Sequence, residues 1–195
     1  MRITHQHTPK DKICVPGSKH PRLVVIGSGF GGINLVSQLK NKPVQIVMLD
    51  RNNYHQFQPL LYQVAISGLE PDSISFPIRK LFKNHKNFVF RYAEVLKIHP
   101  EEQYLETDQG WIDFDYLVVA TGSNANYYGM QDVQEKSFLI KEAPLAMNLS
   151  NQILENLEKA VISCDPDERK ALTHFVVVGA GPTGVNWQDA SAINF

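Results

Sequence analysis

The stretch Leu23-Val24-Val25-Ile26-Gly27-Ser28-Gly29-Phe30-Gly31-Gly32 decides the fold. Its first four residues form an apolar, mostly β-branched run, too short for a helix and apolar at successive positions, as in strands covered on both faces of a parallel sheet. Glycines follow at once. Ile33, Val36 and Leu39 then recur at helical spacing until Asn41 and Pro43 stop the helix, and Val44-Gln45-Ile46-Val47-Met48-Leu49 reads as a second strand ending at Asp50. Strand, glycine turn, helix and strand make one βαβ unit.

Gly27, Gly29 and Gly32 fit the pattern Gly-x-Gly-x-x-Gly between a strand and a helix. In that setting the first glycine makes the tight turn, the second lets backbone approach a pyrophosphate, and the third allows close helix–strand packing. The helix N-terminus adds partial positive charge. Asp50 ends the next strand, about 20 residues on, where a carboxylate accepts hydrogen bonds from an adenosine ribose. An aspartate there also repels a 2′-phosphate, so a nicotinamide nucleotide on this turn would be NAD rather than NADP.

The design recurs. Phe175-Val176-Val177-Val178 reads as a strand, followed by Gly179-Ala180-Gly181-Pro182-Thr183-Gly184, eleven residues before the sequence ends. One nucleotide site looks complete and the other only begun.

Between the two turns, residues 51–72 read as an ordered loop with prolines at 59 and 71. Ser73 is placed to cap a short helix through Lys83, despite Pro77. Alternation from Asn87 to Trp111 predicts a strand and a small antiparallel excursion. Leu117-Val118-Val119-Ala120 reads as another buried strand, closed by Thr121-Gly122, and 123–136 as a polar loop. From Glu142 to Ile162, Leu145, Leu149, Ile153, Leu157 and Val161 recur every fourth residue, which predicts a long amphipathic helix broken at Asp165-Pro166-Asp167. The expected organisation is a polar tail (1–21), a first nucleotide domain (22–136), a linking helical segment (137–172) and the start of a second domain (173–195).

Composition narrows the partners. The 195 residues hold 19 Lys plus Arg against 20 Asp plus Glu, a net charge of −1, so no general attraction to nucleic acid or anionic lipid is expected. Cys14 and Cys164 form no Cys-x-x-Cys pair, which argues against a metal site or a redox dithiol. Residues 1–20 are polar and basic without the apolar core of a secretory signal, and no apolar run has the length of a membrane span. A cytoplasmic compartment is the expectation.

At this point the residues resemble a known family. The string Leu49-Asp50-Arg51-Asn52-Asn53-Tyr54-His55-Gln56-Phe57-Gln58-Pro59-Leu60-Leu61-Tyr62-Gln63-Val64-Ala65 is similar to the segment after the FAD motif of type II NADH dehydrogenases, the single-subunit NADH:quinone oxidoreductases that pump no protons. Asp115 to Ser123 resembles their Ala-Thr-Gly strand, and Gly179 to Val185 their NADH-binding turn. The likeness runs in order from about Arg22 to Val185.

The resemblance implies an α/β fold: a Rossmann-like FAD-binding domain with a small antiparallel β excursion, then the start of a second, incomplete dinucleotide-binding domain. It implies FAD held by Gly27, Ser28, Gly29, Phe30, Gly31, Gly32, Asp50 and Arg51, with Gln58, Pro59 and Leu60 near the isoalloxazine and Thr121 and Gly122 against the flavin mononucleotide half. NADH would bind at Gly179, Gly181, Pro182, Thr183 and Gly184. In such enzymes hydride passes from NADH to flavin and electrons then reach quinone; no side-chain nucleophile is required, and His55 and the other six histidines read as packed or solvated. The family implies peripheral attachment to the cytoplasmic face of a membrane and a possible homodimer.

The sequence departs from the family at Asn186, where an acidic residue is usual, and the match ends after Val185. A C-terminally truncated form is the expectation, with Val176, Val177 and Val178 incompletely covered. Alternatives are a silent FAD-binding fragment, or a sulfide:quinone or ferredoxin reductase; the first glycine turn is not followed by the Cys-x₄-Cys of disulfide reductases.

Overall fold

The structure is a computed structural model that describes residues 11–179 and 181–194. Strand β1 (Arg22–Ile26) runs into helix α1 (Phe30–Gln38) and strand β2 (Gln45–Asp50). Strand β3 (Tyr54–Gln56) precedes a 3-10 turn (Gln58–Leu60) and helix α2 (Leu61–Ala65); a second 3-10 turn (Pro71–Ile74), strand β4 (Ser75–Pro77) and helix α3 (Ile78–Leu81) follow. Then come β5 (Phe88–Tyr92), β6 (Val95–His99), β7 (Tyr104–Thr107), β8 (Gly110–Asp113) and β9 (Tyr116–Val119). Helices α4 (Gln131–Lys136), α5 (Ala143–Ile162), α6 (Pro166–Leu172) and α7 (Pro182–Asn194) complete the order.

Contacts divide the chain into two compact units, one of residues 1–55 and 76–123, the other of residues 56–75 and 124–195. The first unit is built on a four-stranded parallel sheet in the order β5-β2-β1-β9. Alternate side chains of β1 and β2 enter opposite layers, as a pleated strand requires. Leu23, Val25, Ile46 and Met48 meet Val36 of α1 together with Ile78, Phe82 and Phe90. Val24, Ile26, Val47 and Leu49 meet Leu105, Ile112 and Phe114 from the antiparallel β6-β7-β8 excursion and its exit. Burial on both faces is why these strands carry unbroken apolar runs.

Part of the expected tail is built into this unit. Ile13 and Val15 pack on the same layer as Ile112, the Ile13 amide donates to the Trp111 carbonyl, and the Gln45 side-chain amide donates to the Pro16 carbonyl. Residues 1–10 of that tail lie outside the described residues. The helix expected from Ser73 to Lys83 is confined to α3. A residue before proline is disfavoured in the α region, which holds Phe76 extended in β4, so the helix starts only beyond Pro77.

In the second unit α5 buries Ala143, Ala146 and Ile153 against Leu61, Val64, Ala65, Ile66 and Ile74, with Trp187 of α7 in the same core. The helix spans 143–162 as the pattern predicts, but its buried face differs from the expected every-fourth stripe. Each step of four residues rotates about 40° past a full turn. Leu149, Ile153 and Leu157 therefore stay at the core, while Leu145 and Val161 at the ends of the stripe turn outward. Asp165 breaks the helix and caps the next one, its carboxylate accepting the Asp167 amide while Pro166 fills the first turn of α6. The last residues of the expected polar loop form α4.

The largest departure is at Phe175–Val178, which forms no strand in the described residues. Val176 and Val178 are 76 % and 73 % exposed. A strand needs a neighbour for its backbone ladder, and none among the described residues lies beside it. The expectation that these valines are incompletely covered holds.

Candidate functional site

The carboxyl ends of β1, β2 and β9 share one edge of the first unit's sheet, the edge on which open parallel sheets bind ligands. Gly27 leaves β1 with φ +101°, its amide donating to the Leu49 carbonyl. A Cβ on Gly27 would lie 2.4 Å from the Ala120 carbonyl oxygen, and one on Gly32 would lie 2.1 Å from the Gly27 oxygen. Both glycines are therefore demanded by the chain itself. Gly29 is different: a Cβ there meets nothing within 4 Å, and at Gly31 only the Ala120 methyl at 3.8 Å. Space in front of Gly29 is open.

Helix α1 begins on this turn with Gly29 as its N-cap, without a side-chain cap and without an acid in its first turn. No side chain of the helix's own first turn therefore neutralises its positive end, where such termini take anions. Phe30 stands beside it, 41 % exposed.

Asp50 braces the turn. Its Oδ2 accepts from the amide and hydroxyl of Ser28, at 2.6 and 2.7 Å, and its Oδ1 from the Asn52 amide at 2.8 Å. A carboxylate has about four lone-pair sites, so a further donor can be accepted. Arg51 beside it is exposed. On the other strand end, Thr121 and Gly122 are exposed, Gly122 having φ +72° and no atom within 4 Å of a built Cβ.

His55 is a further member that sequence reading treated only as packed or solvated. Its Nδ1 donates to the Ser28 carbonyl at 3.0 Å, and its ring meets Phe30 edge-on at 5.2 Å. The contact joins residues 27 positions apart, so no local spacing signals it.

Of the other expected site residues, Gln58 and Pro59 are exposed and Leu60 half-buried in the 3-10 turn of the second unit. The second glycine turn, in the same unit, repeats the first in its backbone. Gly179 has φ +111°, and a Cβ on Gly184 would lie 2.4 Å from the Gly179 oxygen. Gly181, like Gly29, faces open space. The Val185 amide donates to the Gly181 carbonyl at 3.2 Å, as Ile33 does to Gly29 at 3.0 Å. Pro182 and Thr183 open α7, and Ala180 lies outside the described residues. No group of three metal-ligating side chains occurs among the described residues, and no helix among them is long and apolar enough to cross a membrane.

Two glycine turns of one geometry, one of them braced by a strand-end carboxylate, match a known pattern. Residues 21–190 fit the profile of the pyridine nucleotide-disulphide oxidoreductases. The chain belongs to this family. It is 32 % identical over 183 residues to an external alternative NAD(P)H-ubiquinone oxidoreductase of Arabidopsis thaliana, covering 88 % of this chain and 31 % of the relative. It is 37 % identical over 174 residues to the type II NADH:quinone oxidoreductase Ndh of Mycobacterium tuberculosis, covering 87 % of this chain and 37 % of that one. Among solved structures, NDH2 from Plasmodium falciparum superposes with a TM-score of 0.79 at 25 % identity, over 87 % of this chain and 36 % of that one. The likeness to type II NADH dehydrogenases read from residues 49–65 is thus borne out. The chain spans about a third of the length of these relatives.

Proposed function

We propose that the first glycine turn binds FAD and that the chain is part of an NADH:quinone oxidoreductase. The observation that carries the FAD reading is the contrast among the glycines: Gly27 and Gly32 are explained by contacts within the chain, whereas a side chain at Gly29, the N-cap of α1, would enter open space that an outside group can occupy. A diphosphate is such a group. The start of α1, which has no side-chain cap, offers it the positive end of the helix, and a side chain at position 29 would stand in its way.

The other residues fit the rest of the ligand. Asp50 retains an acceptor site for a ribose hydroxyl while its bonds to Ser28 hold the turn in place. Thr121 and Gly122 leave the end of β9 bare, where backbone can lie against a planar ring. Bound FAD supplies the redox chemistry of this family; the chain's own share is to fix its position and to keep the first turn rigid. Gly179, Gly181, Pro182, Thr183 and Gly184 are proposed for NADH on the same grounds, since Gly181 faces open space as Gly29 does.

NADH as donor and quinone as acceptor follow from the relatives' named reaction, and a quinone acceptor places the work at a membrane, proposed here as its cytoplasmic face. Purified chain reconstituted with FAD and desalted tests the first step. Retained flavin absorbance in the wild type, with its loss in Gly29→Ala and the same melting temperature for the two proteins without flavin, is the expected result. Equal retention in both proteins would remove the argument from Gly29.

A further inference from the structure

A groove lies at the amino-terminal edge of the first unit's sheet, opposite the edge that carries the glycine turn. It is an open groove of about 490 Å³ between the segment before β1, the turn before β2 and the turn before β5. That volume falls in the range of small-molecule sites, roughly 300–1,000 Å³. Lys42, Lys86 and His20 line it, Phe88, Val44 and Pro16 give it apolar wall, and no Asp or Glu lines it.

The lysines stand on a rigid frame. Asn87 shares its side-chain amide hydrogens among the carbonyls of Leu39, Lys42 and Val44, while its Oδ1 accepts the Asn41 amide at 3.0 Å. Asn41 in turn accepts the Lys86 amide at 3.2 Å. Two asparagines thus clamp the Lys40-Asn41-Lys42 turn to the Lys83-Asn84-His85-Lys86-Asn87 turn. Asn41 holds φ +55°, a conformation asparagine tolerates.

Charge accumulates here without compensation. Lys40 and Lys42 stand in the first of these turns and Lys83 and Lys86 in the second, and neither turn contains an acid. None of the ion pairs among the described residues uses Lys42 or Lys86. The fold itself needs neither ammonium, since the clamp is made by asparagines and backbone.

The geometry points to a binding site for a phosphate-bearing anion, held between Lys42 and Lys86 with its apolar portion against Phe88. Ammonium groups serve as point donors to phosphate oxygens, and a clamped frame lowers the ordering cost of binding. The site is at the edge of the sheet away from Gly29 and does not depend on what the glycine turn holds.

Calorimetric titration of inorganic pyrophosphate into the purified chain, with and without excess FAD, tests it. Wild type should bind, and Lys42→Gln/Lys86→Gln should bind at least about tenfold more weakly, each lost contact being a charge-assisted hydrogen bond. Lys42→Arg/Lys86→Arg should restore most of the affinity, and all three proteins should melt alike. Co-sedimentation with phosphatidylglycerol vesicles distinguishes the source: lysine-dependent binding to vesicles without binding to pyrophosphate assigns the phosphate to a lipid headgroup. Binding of neither, or binding unaffected by the double glutamine variant, overturns the site.

Discussion

At the scale of single residues, four glycines in one turn have two different reasons to exist. Gly32→Ala puts a methyl 2.1 Å from the Gly27 oxygen, so helix and strand must part; we expect destabilisation of about 2 kcal/mol or more by urea unfolding, in the range of overpacked sites. Gly29→Ala meets no atom, and it should leave the unfolding midpoint in place while flavin retention falls. Asp50 shows how one side chain serves two ends: in Asp50→Ala the buried Ser28 amide and hydroxyl lose their acceptor, which should cost about 1–3 kcal/mol even without ligand. His85 gives a pH test. Burial of its ring, then the charge of Lys40, hold its pKa below the ordinary value, so the neutral ring is favoured in the folded chain. Its contribution to stability is complete above about pH 6.5 and is lost as pH falls below that, where the unfolded chain takes up the proton first. His85→Phe keeps a ring against Phe82 and should flatten the acid side of the stability–pH curve; curves that stay parallel would show that another group sets it.

At the scale of elements, what could be read from sequence is what local pattern determines. β1, the first turn, α1 and β2 were legible because four cues coincide over residues 23–50: two runs buried on both faces, a glycine turn, a helical period and a terminal acid. α5 was legible in extent but not in face, since a spacing of four drifts around the helix. Ile153→Ala should therefore cost about 2–5 kcal/mol, while Val161→Ala should stay within about 0.5 kcal/mol, as thermal and urea unfolding would show. α6 was hidden because Asp165-Pro166 reads equally as a stop and as a start; the cap bond to Asp167 decides for a start. Phe175–Val178 reads as a strand on composition, yet ladder formation depends on a neighbour that no local cue reports. Among site residues the glycines and Asp50 carry sequence signals, whereas the link of His55 to Ser28 arises only when β3 comes back to the turn.

At the scale of the whole molecule, the chain joins one glycine turn set in a four-stranded parallel sheet to another whose preceding valines are exposed. Its length is about a third of that of its relatives, whose named reaction belongs to those longer chains. What the chain itself can test is the site on the first unit. Its parallel sheet has apolar layers on both faces and carries Gly27 to Gly32, Asp50, Thr121 and Gly122 on one edge. A ligand that binds only the folded state at about 100 times its Kd adds about 2.7 kcal/mol to stability. The direct measurement is the thermal unfolding of the purified chain, followed by far-UV circular dichroism, with and without excess FAD. The account predicts a higher midpoint and co-purifying flavin absorbance for the wild type, and neither for Gly29→Ala. A chain that folds yet shows no shift and keeps no flavin would contradict it.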